Sequence, residues 1–412
     1  MNQESHFCVF SETGKLKQVM LHRPGKEIDR LTIDNMDELL FDDLLWLEQA
    51  QREHDNFAEM LRNEGTEVLY FNECLAQVME TPAIRERLIK DIFKFECLDR
   101  RLSEAFITEL MNMPSLELAD HLIAGYTKKE VRDVCDCTTL SLVSCVENGS
   151  DFLIHPIPNL YFQRDPAITV ANGIIIGQMT FEARRIEPLY WKYITNHHPR
   201  FEGMQILFGD APDEIWPQKV EGGDLLVLTE KAMAIGVSQR TAPTTVQRIG
   251  RNLSSRTSIK RIYAFEIPRK RFCMHLDTVF TMVDRDAFCI YPPLLDYLRV
   301  WQLDYDEGGV LTSLKQRSDW THDIANELGF DHIRLIKMLG GDKAGMAREQ
   351  WHDGCNTLAV APGRVITYNR NVTASKILRD NGIEVLELEG PELGRGRGGP
   401  RCMSMPLNRL PV

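Results

Sequence analysis

Several features that would classify a chain quickly are missing from these 412 residues. No apolar run is long enough to cross a bilayer, and the opening MNQESHFCVF is not the charged, apolar and small-residue succession of an export leader, so a cytoplasmic location is expected. The ten cysteines include no C-x-x-C pair. The closest two, Cys135 and Cys137, have no histidine or cysteine partner nearby, which removes both a disulfide framework and a zinc site. Buried reduced thiols are expected there and at Cys8, Cys74, Cys97, Cys145, Cys273 and Cys289. Positive charge is also short: 48 Lys and Arg against 60 Asp and Glu leave a net charge of −12. That balance disfavours a phosphate-backbone partner and leaves the single RGRGG run near residue 396 without a wider basic patch or interleaved aromatics. Neither nucleic acid nor membrane is expected as a partner, and the acidic balance suits a small cationic substrate.

What the chain does contain is a repeat. From residue 168, ITV and GIIIG flank Ala171 and Asn172-Gly173, a strong hairpin signal, and a helical EPLYWKYITNHH and an apolar QILFG follow. The same succession of hairpin, helix and strand returns from 224, from 277, where the helix is expected in LKQRSDWTHDIANELG, and from 357. The N-terminal residues fit a fifth copy, with QVMLHRP, a long helix in FDDLLWLEQAQREHDNFAEMLRNEG and TEVLYF, its missing strand supplied by MSMPL at the other end. Closing the first unit with the last strand is how a ring removes its exposed edges. Residues 74–150 break the pattern with helix periodicity and almost no strand signal, and are expected to form an inserted helical bundle.

Aligned on their first strands, the copies read FQRDPAI, EGGDLLV, MHLDTVF, GCNTLAV and RCMSMPL. Around a pseudo-fivefold axis, Asp165, Glu221, Asp224, His275, Asp277, Cys355 and Cys402 would face one end of the ring. Taken singly, each has a plainer explanation: an aspartate before a strand is usually a turn residue, paired glycines turn corners, and isolated histidines such as His155, His197 and His198 are satisfied locally. Their coincidence at one repeat position favours a site. Carboxylate pairs match the donor fork of a guanidinium, a thiolate can attack its electron-poor carbon, and a histidine can protonate the departing amine and then activate water. This chemistry requires no metal.

The motifs HRPGKEIDRL, ELLFDD, PNLYFQRDP, MTFEARR, EGGD, SQRT, MHLDTVFT, GCNTLAVAPG and GRGRGGPRCMSMPL, in this order and over essentially the whole length, resemble the arginine deiminases. The resemblance implies a five-bladed α/β propeller, with residues 1–412 as one catalytic domain and 74–150 inserted in it. It implies hydrolysis of free L-arginine to L-citrulline and ammonia through a covalent amidino intermediate on Cys402, with no cofactor. Carried over by motif, Cys402 is the nucleophile, His275 the general acid and base, and Glu221 assists both proton handling and guanidinium binding. Asp165 and Asp277 clamp the guanidinium. Asn159, Arg184 and Arg240 hold the amino-acid end, Phe162 packs on the aliphatic stem, and Gly396 and Arg397 belong to a closing loop. Arg401 receives no role, and a homo-oligomer is the expected assembly. Two alternatives stay open: an amidinotransferase with the same nucleophile and histidine, and a non-catalytic propeller that binds arginine.

Overall fold

The computed structural model describes residues 7–134, 142, 151–210, 218–338 and 342–412. Cys135, Cys137 and Cys145, and nearly all of the expected bundle beyond residue 134, lie outside the described residues. The chain starts with β1 (Leu16–Leu21), the short α1 (Lys26–Asp29), α2 (Leu47–Asn63) and β2 (Glu67–Tyr70), which lies parallel to β1. Then come α3 (Phe71–Met79), α4 (Pro82–Phe95), α5 (Arg100–Asn112), α6 (Ser115–Ala124) and α7 (Lys128–Val134). Asp99 caps α5 by accepting the Arg101 and Leu102 amides, which fixes where that helix begins. Helices α3 to α6 bury Leu75, Leu88, Ile92, Leu102, Phe106, Leu118 and Leu122 in one apolar cluster with Tyr190 and Trp191, so they share a core with the rest of the chain. Each such leucine contributes roughly 1.5–3 kcal/mol.

From residue 126 the order becomes β3 (Tyr126–Thr127) with β4 (Phe152–Ile154), then β5 (Ala167–Val170), β6 (Gly173–Ile176), α8 (Glu187–His197) and β7 (Gln205–Phe208). β5 and β6 are antiparallel and pair Val170 with Gly173 across a turn in which Ala171 has φ 51°. β7 lies parallel to β6, and that connection needs the crossover helix α8. All positions of β5 and β6 are buried, which is why both read as continuous apolar runs rather than alternating ones.

The pattern repeats in β8 (Leu225–Val227), β9 (Ala232–Val237), α9 (Pro243–Arg256) and β10 (Arg261–Glu266), and in β11 (Phe280–Met282) and β12 (Ala287–Ile290). Here the chain departs from the sequence expectation. A hairpin of β13 (Arg299–Tyr305) and β14 (Leu311–Arg317) adds to the outer edge of β10, giving the order β14-β13-β10-β9-β8. Residues 314–317, expected as the start of a helix, are strand, and α10 spans only Trp320–Leu328. The hairpin is held from below: Tyr305 packs on Gly250 of α9, where a Cβ would sit 2.5 Å from its ring, and its hydroxyl donates to the Gln247 carbonyl. β15 (Arg334–Lys337) then completes the β11-β12 sheet.

After α11 (Lys343–Trp351), the strands β16 (Leu358–Ala361) and β17 (Arg364–Tyr368), helix α12 (Val372–Asp380) and β18 (Glu384–Leu388) form another copy. A short α13 (Pro400–Met403) leads into β19 (Met405–Arg409), which pairs antiparallel with β1. The molecule is thus a mixed α/β fold in which, among the described residues, one topology occurs five times: a first strand antiparallel to a second, and the second parallel to a third. Two smaller expectations fail. Cys97 is exposed, at φ 55° just beyond α4, and Cys8 is half-buried in an isolated bridge to Asn408 ahead of β1, so neither lies on an apolar face of a helix or strand.

Candidate active site

The thiol, imidazole and carboxylate candidates sit in the few residues before the first strand of a sheet. Asp165 precedes β5, Glu221 precedes β8, His275 and Asp277 precede β11, Asn356 precedes β16, and Cys402 precedes β19. Tight 3-10 turns at Gly222–Asp224 and Leu276–Thr278 carry two of these segments. Gly223 is required by close approach, since a Cβ there would lie 2.5 Å from His275 Nδ1.

These segments converge on a cavity of about 470 Å³ walled by Cys402, His275, Asp165, Asn159, Phe162, Arg184, Arg240, Gly396 and Arg397. Glu221 and Asp277, both fully buried, stand behind that wall. Glu221 Oε2 is 2.8 Å from His275 Nε2 and accepts Arg240 Nη1 at 2.8 Å, and the Thr180 amide donates to its Oε1. Asp277 Oδ2 lies 3.5 Å from Cys402 Sγ and accepts Arg401 Nη1 at 2.8 Å. Asp165 Oδ2 accepts Arg184 Nη1 at 2.6 Å, and its Oδ1 is 3.6 Å from His275 Nδ1. Oδ1 of Asp165 and Oδ1 of Asp277 have no hydrogen-bond partner among the described residues.

Arg184 also makes a two-point contact with Glu187, one turn further on α8, at 2.8 Å on each side. Arg240 lies over the Phe181 ring, 4.4 Å from its centroid. Asn159 donates to the Leu39 carbonyl at 2.6 Å and so ties the segment before β5 to the loop bearing Asp37, Leu40 and Asp42, which complete the cavity wall. The glycine-rich loop is held closely: a Cβ on Gly396 would fall 1.8 Å from Tyr161 Oη and one on Gly398 2.2 Å from Phe162. Between them Arg397 adopts φ 64°, stacks on Trp351 and lies 3.8 Å from Asp42.

The electrostatics follow from burial and from the surplus of carboxylates. Burial raises the Cys402 thiol well above its usual value, and Asp277, Asp165 and Asp353 push it further, against a smaller opposite pull from Arg401. Burial alone would neutralise His275, but Asp165, the hydrogen bond to Glu221 and Asp224 outweigh it and bring the imidazole up to about 9. Burial likewise opposes the charge on Glu221, yet Arg240 and His275 hold it far below the ordinary carboxylate range. These fields favour a protonated thiol and a protonated imidazole on the same cavity wall.

Asp165, Glu221 and His275 offer ligand atoms that all lie within 4.8 Å of one another. Glu221 Oε2 already serves both His275 and Arg240, and Arg184 occupies Asp165, so a metal ion there would have to enter beside two guanidinium groups. The donor set does not fit one well.

Several residues of the arrangement went unassigned in the sequence reading. Asn356 donates from Nδ2 to Cys402 Sγ at 3.1 Å and accepts the Cys402 amide on Oδ1 at 3.0 Å. Arg401 joins Asp277 to Glu12. Phe181, Gln239, Met274 and Thr278 line the cavity, all within segments singled out as motifs but without individual roles.

Comparison with known proteins is consistent over the full length. The family model described as arginine deiminase matches residues 37–409. The arginine deiminase of Streptococcus sanguinis (strain SK36) is 43% identical over 404 residues, covering 97% of this chain and 98% of that protein. That of Streptococcus gordonii (strain Challis) is 42% identical over 405 residues, with 97% and 98% covered. Among solved structures, the amidinotransferase SxtG from Microseira wollei superposes with a TM-score of 0.56 at 11% identity, covering 98% of both chains. The N-terminal domain of ArgZ, a cyanobacterial arginine dihydrolase, gives 0.53 at 12% identity, covering 95% of this chain and 97% of that one. At such identities these two likenesses concern the fold alone. No described helix is long and apolar enough to cross a membrane.

Proposed function

Because this chain belongs to the arginine deiminase family, we propose that it hydrolyses the guanidinium group of free L-arginine to L-citrulline and ammonia, with Cys402 as nucleophile. The observation that carries this reading is the convergence of a thiol, an imidazole and a carboxylate on one cavity, with a second carboxylate behind the thiol, and with Oδ1 of Asp165 and of Asp277 making no hydrogen bond among the described residues. In the first step the Cys402 thiol gives its proton to water and Sγ bonds to the guanidinium carbon. The C–N bond to a terminal nitrogen then breaks, and His275 gives that nitrogen a proton so that it leaves as ammonia. In the second step His275 takes a proton from water, whose oxygen attacks the same carbon. The C–S bond breaks, giving citrulline and returning the thiol.

The raised thiol makes ionisation depend on the substrate. A bound guanidinium places positive charge beside Cys402 and pairs with the aspartates whose fields oppose the thiolate, so both effects lower the thiol pKa. Glu221 holds His275 in place and keeps it protonated for the first step. Arg240, Arg184 and Asn159 hold the amino-acid end, and Phe162 packs on its stem. Gly396 and Arg397 close over it, their glycine neighbours allowing close approach. The five repeated sheets are arranged as blades around a pseudo-fivefold axis, with residues 1–412 as one catalytic domain and residues 74–150 inserted in it. A homo-oligomer in the cytoplasm is the expected working form.

Purified protein incubated with arginine alone should release citrulline and ammonia in equal amounts. His275→Ala should remove both products while leaving Cys402 open to alkylation. Citrulline production that requires an added amine acceptor would instead identify an amidinotransferase.

A further inference from the structure

Below the cavity, Arg401 leads from Asp277 into a second group of buried charges that the proposed reaction does not use. Glu12, Arg164, Arg401 and Arg409 are each at most 5% exposed. Glu12 Oε2 receives Arg401 Nε and Nη2 at 3.2 Å and lies 3.8 Å from Arg164 Nη1. Arg164 Nε donates to the Ser404 carbonyl, and Arg409 Nη1 donates to the carbonyls of Gly14 and Ala359.

The charges in this group do not balance. Burial alone would raise Glu12, but the fields of Arg401, Arg164 and Arg409 hold it at about 2, so all three guanidinium groups reach one carboxylate. Burial lowers Arg164 to about 9 and Arg409 to about 10, values at which both stay charged at neutral pH. Three cations therefore face two anions, Glu12 and Asp277, and Asp277 is shared with the thiol. Nη2 of Arg164 and Nη2 of Arg409 are also buried with no hydrogen-bond partner among the described residues. A buried charge with unfilled donors is among the costliest arrangements a protein interior can hold.

We propose that this cluster is a binding site for one small monovalent anion of the halide class, held by the free Nη2 groups of Arg164 and Arg409 and occupied by chloride in ordinary buffers. One negative charge balances the group. The carbonyl oxygens of Ser404, Gly14 and Ala359 around the two arginines disfavour the oxygens of a larger oxyanion such as phosphate. The site also communicates with the cavity, because Arg401 lies between Glu12 and Asp277 and adjoins Cys402. A cationic substrate beside Asp277 raises the local positive charge and so favours the anion. By reciprocity the anion favours the substrate.

The test exchanges the full-length protein into sodium gluconate and titrates in sodium chloride or sodium bromide at constant ionic strength. A saturable rise of a few degrees in the melting midpoint is expected, since a ligand that binds only the folded state stabilises it. The KM for arginine should fall in parallel. Crystals grown with bromide should show an anomalous scatterer within hydrogen-bond distance of Arg164 or Arg409, which decides the matter even where Arg409→Gln fails to fold. Where that variant folds, it should lose the halide increment. Equal melting in gluconate and chloride, ordinary water at the cluster, or a halide bound elsewhere would overturn the proposal.

Discussion

Cys402 and Cys355 occupy matching places in two of the repeated sheets: each lies three residues before a first strand, β19 from Met405 and β16 from Leu358. Both are buried, and both thiols are raised well above the usual range. Their neighbours differ. Cys402 lies on the cavity wall, accepts the Asn356 side chain and stands beside Asp277. Cys355 is raised first by its contact with Cys289 and then by burial, and it sits in an apolar cluster with Val279, Phe288 and Ala359. A repeat position brings a thiol near the site. Access to a cationic ligand decides whether it can become a thiolate.

Serine substitution would break that comparison most sharply. Cys402→Ser should reduce citrulline formation by roughly 10^6-fold, the scale seen when a catalytic nucleophile is removed, whereas Cys355→Ser should keep most of the rate. Steady-state assays of the two variants decide it, and reversed effects would transfer the role to Cys355.

Next in size is the reading of the far end of the substrate. Agmatine lacks the carboxylate proposed to bind Arg240 and Arg184, and should be turned over roughly 10^4-fold less efficiently than arginine. Arg240→Lys should lower kcat/KM for arginine more modestly, because an ammonium cannot reproduce a planar contact with Glu221 and the substrate together. Comparable kcat/KM values for the two substrates would show that the carboxylate is not recognised.

Alkylation kinetics probe why the thiols differ. With Cys402 raised, neutral iodoacetamide should react slowly at neutral pH, and its rate should climb about tenfold per pH unit as the thiolate fraction grows. A haloacetamidine carries its own positive charge and should react much faster at neutral pH, with arginine protecting. Mass spectrometry should find the label on Cys402 and not on Cys355. A thiol that titrates below neutral in the substrate-free protein would end the substrate-assisted account.

The smallest expected effect concerns Asp353, two residues before Cys355. Burial raises its carboxyl to about 7 from 3.8, against an opposing pull from Arg397, and neither oxygen has a hydrogen-bond partner among the described residues. A raised acid binds its proton more tightly in the folded state. Its contribution is therefore favourable below pH 3.8 and is lost as pH rises to 7. Asp353→Asn, which tolerates the φ of 60° at this position, should stabilise the protein more at pH 8 than at pH 5 in urea unfolding. An equal change at both pH values would show that the carboxyl is not strained.

The legible parts of this molecule share a local signal. The β5-β6 hairpin is written in Asn172-Gly173 between apolar runs, and Gly396 and Gly398 of the glycine-rich loop sit against rings that leave no room for a Cβ. What the sequence concealed is long-range or masked by a competing pattern. The β13-β14 hairpin was hidden because LKQRSDW reads equally as the beginning of a helix, and its DEGG turn was the missed signal. Asn356 could not be paired with Cys402, 46 residues away, and Arg401 could not be joined to Glu12, 389 residues away, since nothing local marks either contact. Glu187 was closer to reach, three residues beyond Arg184 at the start of α8.

The pairing of β19 with β1 makes the sheet nearest the thiol depend on residues from opposite ends of the chain, such as Met20 and Met405. During synthesis four of the five repeated sheets can form before the strand that follows Cys402 has been made. Contacts of such sequence separation are slow to form. Refolding should therefore recover most helix and strand signal first, and the capacity to consume arginine only afterwards, so that a half-assembled molecule is chemically silent.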